Sequence, residues 1–439
     1  MVPRRYLLLS VVLLAACIGE PGGGGVNIPD PTSTTAPSTT VTTVATTSTT
    51  ATSVSTTTTK SVVNVSGRVS REDGTPVARA FVTMGETRSI TGPDGWFSFE
   101  TSEPADMAVS KPGWSDVELA WVEDTVFYEA VIDPETIRGI RVGAEAAQSD
   151  EFFASLLRLA ADTAVNALVF DTKQEGGRVL YDSAVSAAHE MGAVEVFYDP
   201  IERIAQAHEH GLYTITRIVS FEDGHRASAF PEDRLVGPWL DPVAPGARQY
   251  VLDLAEEACE IGFDEIQFDY VRYPAGSTAE ISGQRDLTQE QRVRAISGFL
   301  QEARDLLHPM GCAVSAAVFG IVVSSTDDQG LGQRPEEVSA QVDVLSPMVY
   351  PSHYSPGWLG FDDPNDHPYD VTADALAAAR PRMAAGSELR PYLQAFWWTN
   401  AQIRRSIQAA EDAGTGWLLW NILSNFDRAA IPTDAEVGG

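Results

Sequence analysis

The feature that most constrains this 439-residue chain is a regular alternation of short apolar runs and amphipathic segments from Ile137 onward. Such alternation is typical of repeated βα units, which build parallel sheets. Eight strands within about 290 residues predict an α/β fold of the (β/α)8 TIM-barrel type. A doubly wound open sheet is the alternative, but no glycine-rich phosphate loop follows the first strand. The predicted strands are 140–142, 167–171, 213–219, 265–269, 313–318, 344–349, 390–396 and 417–420.

Residues 61–135, which precede the predicted barrel at 136–432, show a different pattern. Short alternating runs such as 65–69 are separated by turns, and Gly-Pro-Asp-Gly at 92–95 is the strongest of them. This pattern predicts a small N-terminal all-β sandwich. The segments GRVSREDGTPVARAFVTM and TGPDGWFSF resemble the carboxypeptidase regulatory-like domain. That resemblance implies an accessory module without catalytic activity.

The first 60 residues are predicted to direct the protein to export and to tether it to the membrane. Arg4 and Arg5 precede an apolar run that ends in Leu-Ala-Ala-Cys at Cys17. The run suits a cleaved secretory signal, and its ending resembles a bacterial lipobox, which implies a lipid on Cys17. An ordinary signal peptide is the alternative. Residues 18–60 are rich in Thr and Ser and predict a disordered tether. We therefore expect an exported protein that is lipid-anchored to the outer face of the cell membrane and extends into the cell wall.

The formal net charge of −31 narrows the possible partners. General nucleic-acid binding needs a basic surface and is excluded on this ground. Electrostatic docking on an anionic membrane surface is disfavoured for the same reason. The acidic residues are spread over both predicted folded parts, and most of them serve solubility. We expect a monomer whose partner is a polysaccharide or cell-envelope glycan.

Two cysteines remain once Cys17 is assigned to the lipid. Cys259 is predicted late in a helix and Cys312 at the start of a strand, at the same end of the barrel. They could pair, but two small buried hydrophobic residues is the favoured interpretation. The spacing of Cys and His gives no zinc-site pattern. Neither a metal nor a cofactor is expected.

Polar and aromatic residues gather at the C-terminal ends of the predicted strands, where TIM barrels place their chemistry. Carboxylates, arginines and aromatic rings at one mouth suit a sugar site, because paired carboxylates can act as acid, base or nucleophile. The candidate catalytic residues are Asp269, Asp171, Glu222 and Asp223. The candidate substrate-binding residues are Lys173, Arg217, Arg272, Tyr350, His353, Gln394, Trp397 and Trp420.

Asp269 is the strongest catalytic candidate. Strand alternation places it on the inner side of the barrel, with Ile266 and Phe268 facing the helices. Its predicted role is that of a nucleophile or base-like carboxylate. The alternative is a structural carboxylate paired with Arg217 or Arg272.

The sequence leaves several candidates for the second catalytic carboxylate. Asp171 could fill this role or bind a sugar hydroxyl, but it could equally cap the loop after its strand. Glu222 and Asp223 are the candidates for the general acid. Arg217 and Arg272 would hold neighbouring carboxylates ionised, while the aromatic candidates and His353 would line subsites.

Longer motifs carry a second resemblance. NALVFDTK, TITRIVSF, GFDEIQFDYVRYP and LSPMVYPSHY, within about 138–425, resemble the putative glycosyl hydrolase domain family. The resemblance implies a TIM-barrel, glycosidase-like protein. The segment 221–239 is shorter here than in relatives, which points to a different substrate length or shape.

We therefore predict a cell-surface glycoside hydrolase acting on a polysaccharide. A non-catalytic carbohydrate-binding or envelope-scaffold protein on the same fold is the alternative. A peptidase or amidase is disfavoured, because no G-x-S-x-G or H-E-x-x-H motif is present.

Overall fold

The computed structural model describes residues 62–437, apart from 112–113, 126, 134–135 and 284–285. The predicted signal, the lipidation site Cys17 and the tether lie outside the described residues, and so does the predicted domain boundary at 135. Within the described ranges, no helix is long and apolar enough to cross a membrane.

The described chain begins with two small sheets. Their strands are β1 (Val63–Ser70), β2 (Phe81–Met84), β3 (Thr87–Ile90), β4 (Trp96–Thr101), β5 (Met107–Ser110), β6 (Val117–Leu119) and β7 (Phe127–Val131). One sheet has the order β4-β1-β7 and the other β3-β2-β5-β6. Alternation in β1 buries Val65 and Val69, which pack with Phe97, Val82 and Val109 from both sheets. The predicted all-β sandwich is confirmed.

A closed parallel barrel follows, as predicted. The remaining strands are β8 (Arg138–Val142), β9 (Ala167–Lys173), β10 (Tyr213–Val219), β11 (Arg234–Val236), β12 (Trp239–Leu240), β13 (Glu265–Asp269), β14 (Ala313–Phe319), β15 (Val344–Val349), β16 (Glu388–Leu389), β17 (Tyr392–Gln394) and β18 (Trp417–Trp420). The β11–β12 hairpin lies outside the barrel. The other strands pair in parallel, and the ring closes through β14–β15 and β18–β8.

The predicted strand 390–396 is shorter in the structure, where only Tyr392–Gln394 is extended, and a short strand that was not predicted, β16, precedes it. β16 and β17 both pair with β15 but are separated by Arg390 and Pro391. Proline has no N–H to donate to a sheet, so the ladder is interrupted there. The predicted strands 213–219, 265–269, 344–349 and 417–420 have the bounds that the structure shows.

Helices connect the barrel strands and surround them. They are α1 (Ala144–Gln148), α2 (Asp150–Ala161), α3 (Ser186–Glu190), α4 (Pro200–Glu209), α5 (Gly224–Ala229), α6 (Pro245–Ile261), α7 (Gly276–Ile281), α8 (Gln289–Leu307), α9 (Gly320–Ser324), α10 (Pro335–Ser339), α11 (Pro368–Ala379), α12 (Asn400–Asp412) and α13 (Asp434–Val437). The long helices α8 and α12 each begin with a capping box, Thr288 with Gln291 and Thr399 with Gln402. A capping box satisfies two N–H groups that the first turn leaves unpaired.

Strand alternation divides the barrel into two cores. Ile266 and Phe268 of β13 belong to the large cluster between strands and helices, together with Phe299 of α8. Val169 of β9 and Leu418 of β18 belong to a smaller cluster inside the barrel. The inward-facing residues near the start and the end of each strand therefore lie at the two ends of the barrel.

The favoured interpretation of Cys259 and Cys312 is wrong, because the two residues form a disulfide. Cys259 lies near the end of α6, and Cys312 directly precedes β14. Their Cα atoms are 6.0 Å apart, a separation that a disulfide can span. The bond links the end of α6 to the start of β14, at the end of the barrel where the strands begin.

The sandwich packs on the base of the barrel, the end at which the strands begin. Arg79 donates hydrogen bonds to the carbonyl oxygens of Ala340 at 2.8 Å and Val342 at 2.6 Å, just before β15. Phe81 contacts His308 edge to face, with ring centroids 5.3 Å apart. These contacts attach the sandwich to the end of the barrel that lies opposite the mouth.

Candidate active site

The central residue of the mouth is Arg217 of β10, which is 1% exposed and is shared by three carboxylates. Nε donates to Asp269 Oδ2 at 2.8 Å, and Nη1 lies 3.3 Å from Asp171 Oδ1. Nη2 donates to Glu175 Oε1 at 2.5 Å. Burial by itself would lower the pKa of Arg217, but the three negative charges raise it well above its ordinary value. The guanidinium is therefore a permanent cation at the centre of the site.

Asp269 ends β13 and lies on the inner side of the barrel, as strand alternation predicts. Its Oδ2 accepts from Arg217, and its Oδ1 accepts from the backbone N–H of Tyr270 at 2.7 Å. The residue is 5% exposed. Tyr270 has φ +49°, a left-handed conformation that costs a residue other than glycine roughly 1–2 kcal/mol. Both oxygens of Asp269 are thus held in fixed positions.

Asp171 lies beneath the mouth and has no exposed surface. It forms ion pairs with Arg141 and Arg217, and its backbone oxygen accepts from the Tyr198 hydroxyl at 2.8 Å. This placement suits a residue that positions Arg217 rather than one that contacts a substrate. Arg141, which the sequence analysis missed, lies on the inward-facing side of β8. Counting alternate residues along that strand would have identified it.

Lys173 and Asp223 form a buried ion pair with each other. This placement does not fit their predicted roles, which are substrate binding for Lys173 and catalysis for Asp223. The Lys173 Nζ lies 2.9 Å from Asp223 Oδ2 and donates to the Val219 carbonyl at 2.6 Å. Asp223 also caps α5 by accepting from the Arg226 N–H at 2.7 Å. Their side chains are 1% and 0% exposed. Asp223 is therefore a structural cap rather than an acid that can reach a glycosidic oxygen, and Lys173 is its counter-ion.

Glu222 is the predicted acid candidate that the structure leaves partly accessible. Its backbone forms a β-bridge with Trp239, and its Oε2 accepts from the Gly176 N–H at 2.7 Å. Burial raises the pKa of Glu222 above its ordinary value, although the Gly176 N–H and the Lys173 charge act in the opposite direction. A raised pKa keeps a carboxyl protonated at higher pH, which is the property that a general acid requires.

Glu175, which follows β9, is a mouth residue that the sequence analysis missed. Its side chain is 43% exposed, and it is hydrogen-bonded to Arg217. Burial tends to raise the pKa of Glu175, but the charge and hydrogen bond of Arg217 outweigh burial and lower it. The following residue, Gly176, holds Glu222, so the two glutamates lie on adjoining loops. The period of two that joins Asp171 to Lys173 continues to Glu175 and was the available signal.

Arg272 is enclosed by aromatic rings from three parts of the mouth. Its Cζ lies 4.6 Å from the ring centroid of Trp239, 5.0 Å from that of Tyr270 and 4.4 Å from that of Phe319. Trp239 belongs to the segment after β10, Tyr270 directly follows β13, and Phe319 ends β14. Cation–π contacts of this kind stabilise a guanidinium that has left bulk water.

The polar contacts of Arg272 are few. The residue is 7% exposed, and its Nη1 donates to the Tyr273 carbonyl at 3.0 Å. Burial lowers the pKa of Arg272 to about 10, against the smaller opposing effects of neighbouring groups that include Asp269 and Glu222. Arg272 is therefore still a cation at neutral pH, but it does not ion-pair with Asp269.

The predicted aromatic subsite residues lie after β15 and β17. Tyr350 contacts His353 and Phe396 edge to face, with centroids 5.3 and 5.4 Å apart. Partial burial lowers the pKa of His353, so the imidazole is neutral at pH 7. Trp397 is 85% exposed and has φ +58°. These rings pack together after β15 and β17, and among them Trp397 has the most exposed surface.

Trp420 and Gln394 are paired residues at the ends of β18 and β17, and each holds another part of the site. The Trp420 centroid lies 4.6 Å from the Cζ atoms of both Arg141 and Arg217, so its ring covers these two guanidiniums. Gln394 is fully buried and donates to the Phe396 carbonyl at 3.1 Å. The placement of Gln394 suits a role in fixing the aromatic loop rather than contact with a substrate.

Strained backbone is concentrated in the loops that follow barrel strands. Five residues other than glycine have positive φ there: Tyr270, Gln329, Leu359, Trp397 and Ser424. Each such conformation costs on the order of 1 kcal/mol and persists because its surroundings impose it. Backbone strain of this kind is frequent at functional sites.

Comparison with known proteins agrees with this architecture. Residues 139–426 match the family model described as "Putative glycosyl hydrolase domain". None of the curated proteins compared with the chain matches it.

Three solved structures illustrate the range of similarity. A hypothetical protein from Ruminiclostridium thermocellum is 31% identical, with 40% of this chain and 96% of that chain covered and a TM-score of 0.35. The PgaB (BpsB) glycoside hydrolase domain from Bordetella bronchiseptica is 13% identical, with coverages of 67% and 97% and a TM-score of 0.51. The catalytic domain of β-amylase from Paenibacillus polymyxa is 12% identical, with coverages of 69% and 97% and a TM-score of 0.46. The likeness to the Bordetella domain shows a shared fold.

Proposed function

The chain belongs to the putative glycosyl hydrolase domain family, and from this premise we propose that it hydrolyses a polysaccharide at the mouth of the barrel. The observation that carries the proposal is a pair of carboxyl groups on adjoining loops with opposite environments. Burial raises the pKa of Glu222, whereas Arg217 lowers that of Glu175. In glycoside hydrolysis one carboxyl group must be protonated to act as the acid, and another must be ionised. Two carboxyl groups whose surroundings separate their pKa values can take these two roles.

The residues then take distinct roles in breaking the glycosidic bond. Glu222 donates its proton to the glycosidic oxygen as the bond to the anomeric carbon breaks. Asp269 and Glu175, both held by Arg217, supply negative charge against the positive charge that develops at that carbon. Water then adds its hydroxyl to the anomeric carbon, and its proton returns to a carboxylate of the site. Arg217 keeps the two ionised carboxylates fixed throughout.

The aromatic side of the mouth would bind the sugar. Tyr350 and Phe396 provide packed rings, and the exposed ring of Trp397 provides a flat apolar surface. Sugars have C–H faces that pack on such rings. Several rings along one side of the site suit a chain of sugars rather than a small molecule.

We place the activity at the cell surface. The predicted signal, lipidation at Cys17 and the Thr/Ser-rich tether support export and anchoring to the outer face of the membrane. The disulfide between Cys259 and Cys312 supports the same location, because disulfides persist in oxidising compartments. The substrate would then be a polysaccharide of the envelope or its surroundings.

The test is release of reducing ends from a panel of purified polysaccharides, measured for the wild type and single variants. We expect Asp269→Asn and Glu222→Gln each to lower kcat by about 10²–10⁴-fold. Glu222→Gln should also remove the fall in activity at high pH, because the group that deprotonates there is gone. Glu260→Gln, on the exposed surface of α6, is the matched control and should behave as wild type. Equal trace activity in all four proteins would reject the assignment.

The alternative function is carbohydrate binding without turnover. It is favoured by the enclosure of Asp269, whose side chain is 7% exposed and whose oxygens are both hydrogen-bonded. A glycan that binds and remains intact over long incubation would support this alternative over hydrolysis.

A further inference from the structure

Arg272 differs from the other buried arginines of the described chain. Five of them pair with carboxylates: Arg141 with Asp171, Arg203 with Asp150, Arg217 with its three partners, Arg226 with Asp233 and Arg390 with Glu265. Among the described residues, no carboxylate lies within ion-pair distance of Arg272. A buried cation without an anionic partner is costly in free energy. The chain has 61 acidic residues, so the lack of an acidic partner for Arg272 among the described residues requires an explanation.

The guanidinium of Arg272 retains hydrogen-bonding capacity. Its Nη1 donates to the Tyr273 carbonyl, and no other acceptor in the described part of the chain receives a hydrogen bond from it. Aromatic rings contribute cation–π attraction but do not replace a planar acceptor for the N–H donors. Arginine presents these donors as a fork in one plane, which matches the two oxygens of a carboxylate.

The position of Arg272 ties it to the proposed reaction. Tyr270 and Phe319 lie at the ends of the neighbouring strands β13 and β14, and Trp239 begins β12. The charges of Asp269 and Glu222 both act on Arg272. A group bound to Arg272 would therefore belong to the sugar at the point of cleavage or to the adjacent sugar. A group farther along the glycan chain would lie outside this region.

We propose that the substrate of this site is an acidic glycan, and that Arg272 binds the carboxylate of one of its sugars. The inference rests on the proposed function, since it concerns the same mouth. A carboxylate of the substrate would supply the planar anionic partner that no described residue of the protein provides for Arg272. The net charge of −31 opposes an anionic ligand at long range, but salt at physiological strength screens charges beyond about 8 Å. Recognition of the acidic sugar therefore depends on its short-range contact with Arg272.

The experiment measures binding, so that it does not depend on turnover. The mature protein is titrated with three matched pairs: glucuronate and glucose, galacturonate and galactose, N-acetylmuramate and N-acetylglucosamine. We expect at least one acidic sugar to bind about 10–100-fold more tightly than its neutral partner. Arg272→Met should abolish this preference and leave neutral-sugar binding unchanged. Arg272→Lys should retain part of it, since lysine keeps the charge but loses the fork.

Arg405→Met is the matched control. Arg405 is exposed on α12, and its Cζ lies 4.6 Å from the ring centroid of Tyr369, which is not one of the mouth residues. This variant should keep the wild-type preference, and thermal unfolding of each variant verifies its folding. No preference in any pair overturns the proposal, as does equal weakening of both members of a pair by Arg272→Met. An acidic preference without hydrolysis of any acidic polysaccharide keeps the inference and rejects the proposed function.

Discussion

The two ends of the barrel are built from the same strands but use charge differently. β13 begins at the base with Glu265 and ends at the mouth with Asp269, and both side chains face inward. At the base, Glu265 accepts two hydrogen bonds of 3.0 Å from a single arginine, Arg390. At the mouth, Asp269 shares Arg217 with two other carboxylates. A charge pair at the base satisfies one carboxylate with one cation, whereas at the mouth one cation holds three carboxylates together.

The surroundings of the two ends reinforce this contrast. The sandwich covers the base, where Lys111 donates to the Gly386 carbonyl at 3.1 Å and Trp114 to Glu388 at 3.2 Å. The mouth retains exposed groups, Glu175 and Trp397 among them. Substitutions at the base should therefore change stability, and substitutions at the mouth should change activity.

The largest effect is expected from Arg217→Met. Loss of this cation should lower kcat on a hydrolysed polysaccharide by at least about 10³-fold, because the site's ionised carboxylates lose their common partner. Arg217 lowers the pKa of Glu175 against the effect of burial. Without Arg217 that pKa rises, so residual activity should be lost at a higher pH on the acid side. The pH dependence of kcat measures the shift, and an unchanged acid limb would contradict it.

The next largest effect is expected at the base, from Glu265→Gln. This change leaves Arg390 buried without its counter-ion and should lower the free energy of unfolding by about 3–5 kcal/mol. Denaturant titration measures it, while kcat per folded molecule should stay at the wild-type value. The double variant Glu265→Met/Arg390→Met is the control. It removes both charges and should lie within about 1 kcal/mol of wild type or above it. A loss of kcat in the folded double variant would refute the division between the two ends.

Removal of the disulfide should have an intermediate effect. Cys259 and Cys312 are separated by 53 positions in sequence, and loss of the bond in Cys259→Ala/Cys312→Ala should cost about 2–4 kcal/mol of stability. The bond lies at the base, so the pH profile of activity should not change. Comparison of the wild type under reducing conditions with the double variant under oxidising conditions provides the control, since both lack the bond.

The smallest effect is expected from Trp397→Ala. The exposed ring contributes contact with substrate but little to folding, so KM should rise about fivefold, equivalent to about 1 kcal/mol. Thermal stability should be nearly unchanged. Trp96→Ala is the matched control, since Trp96 is 47% exposed on the sandwich. It should leave KM unaltered, and an equal rise in both variants would show that the ring of Trp397 does not mark a subsite.

Strand periodicity was enough to predict the barrel and the inward direction of Asp269. It could not predict how deep a residue lies once loops fold over the strand ends. Asp223 and Gln394 are strand-end residues by sequence, yet helix capping and loop packing bury them. Glu175 continues the period of two beyond Asp171 and Lys173, but its hydrogen bond with Arg217 also depends on the path of the loop after β9, which that period does not give.

The cysteine pairing was misjudged for a related reason. Sequence placed Cys259 and Cys312 at one end of the barrel but gave no distance between them. Their Cα separation of 6.0 Å depends on how α6 packs on β13, the strand that pairs with β14. Contacts between elements that are far apart in sequence follow from such packing, and no local pattern records it.

The left-handed residues after the barrel strands set a limit for protein engineers. Replacing Tyr270 or Trp397 by glycine would relax the backbone by roughly 1 kcal/mol each. The same replacements would remove a ring beside Arg272 and the most exposed ring among the predicted subsite residues. A programme that selects variants of this protein for heat resistance alone would therefore tend to remove the proposed binding surface, and thermostable designs should leave Tyr270 and Trp397 unchanged.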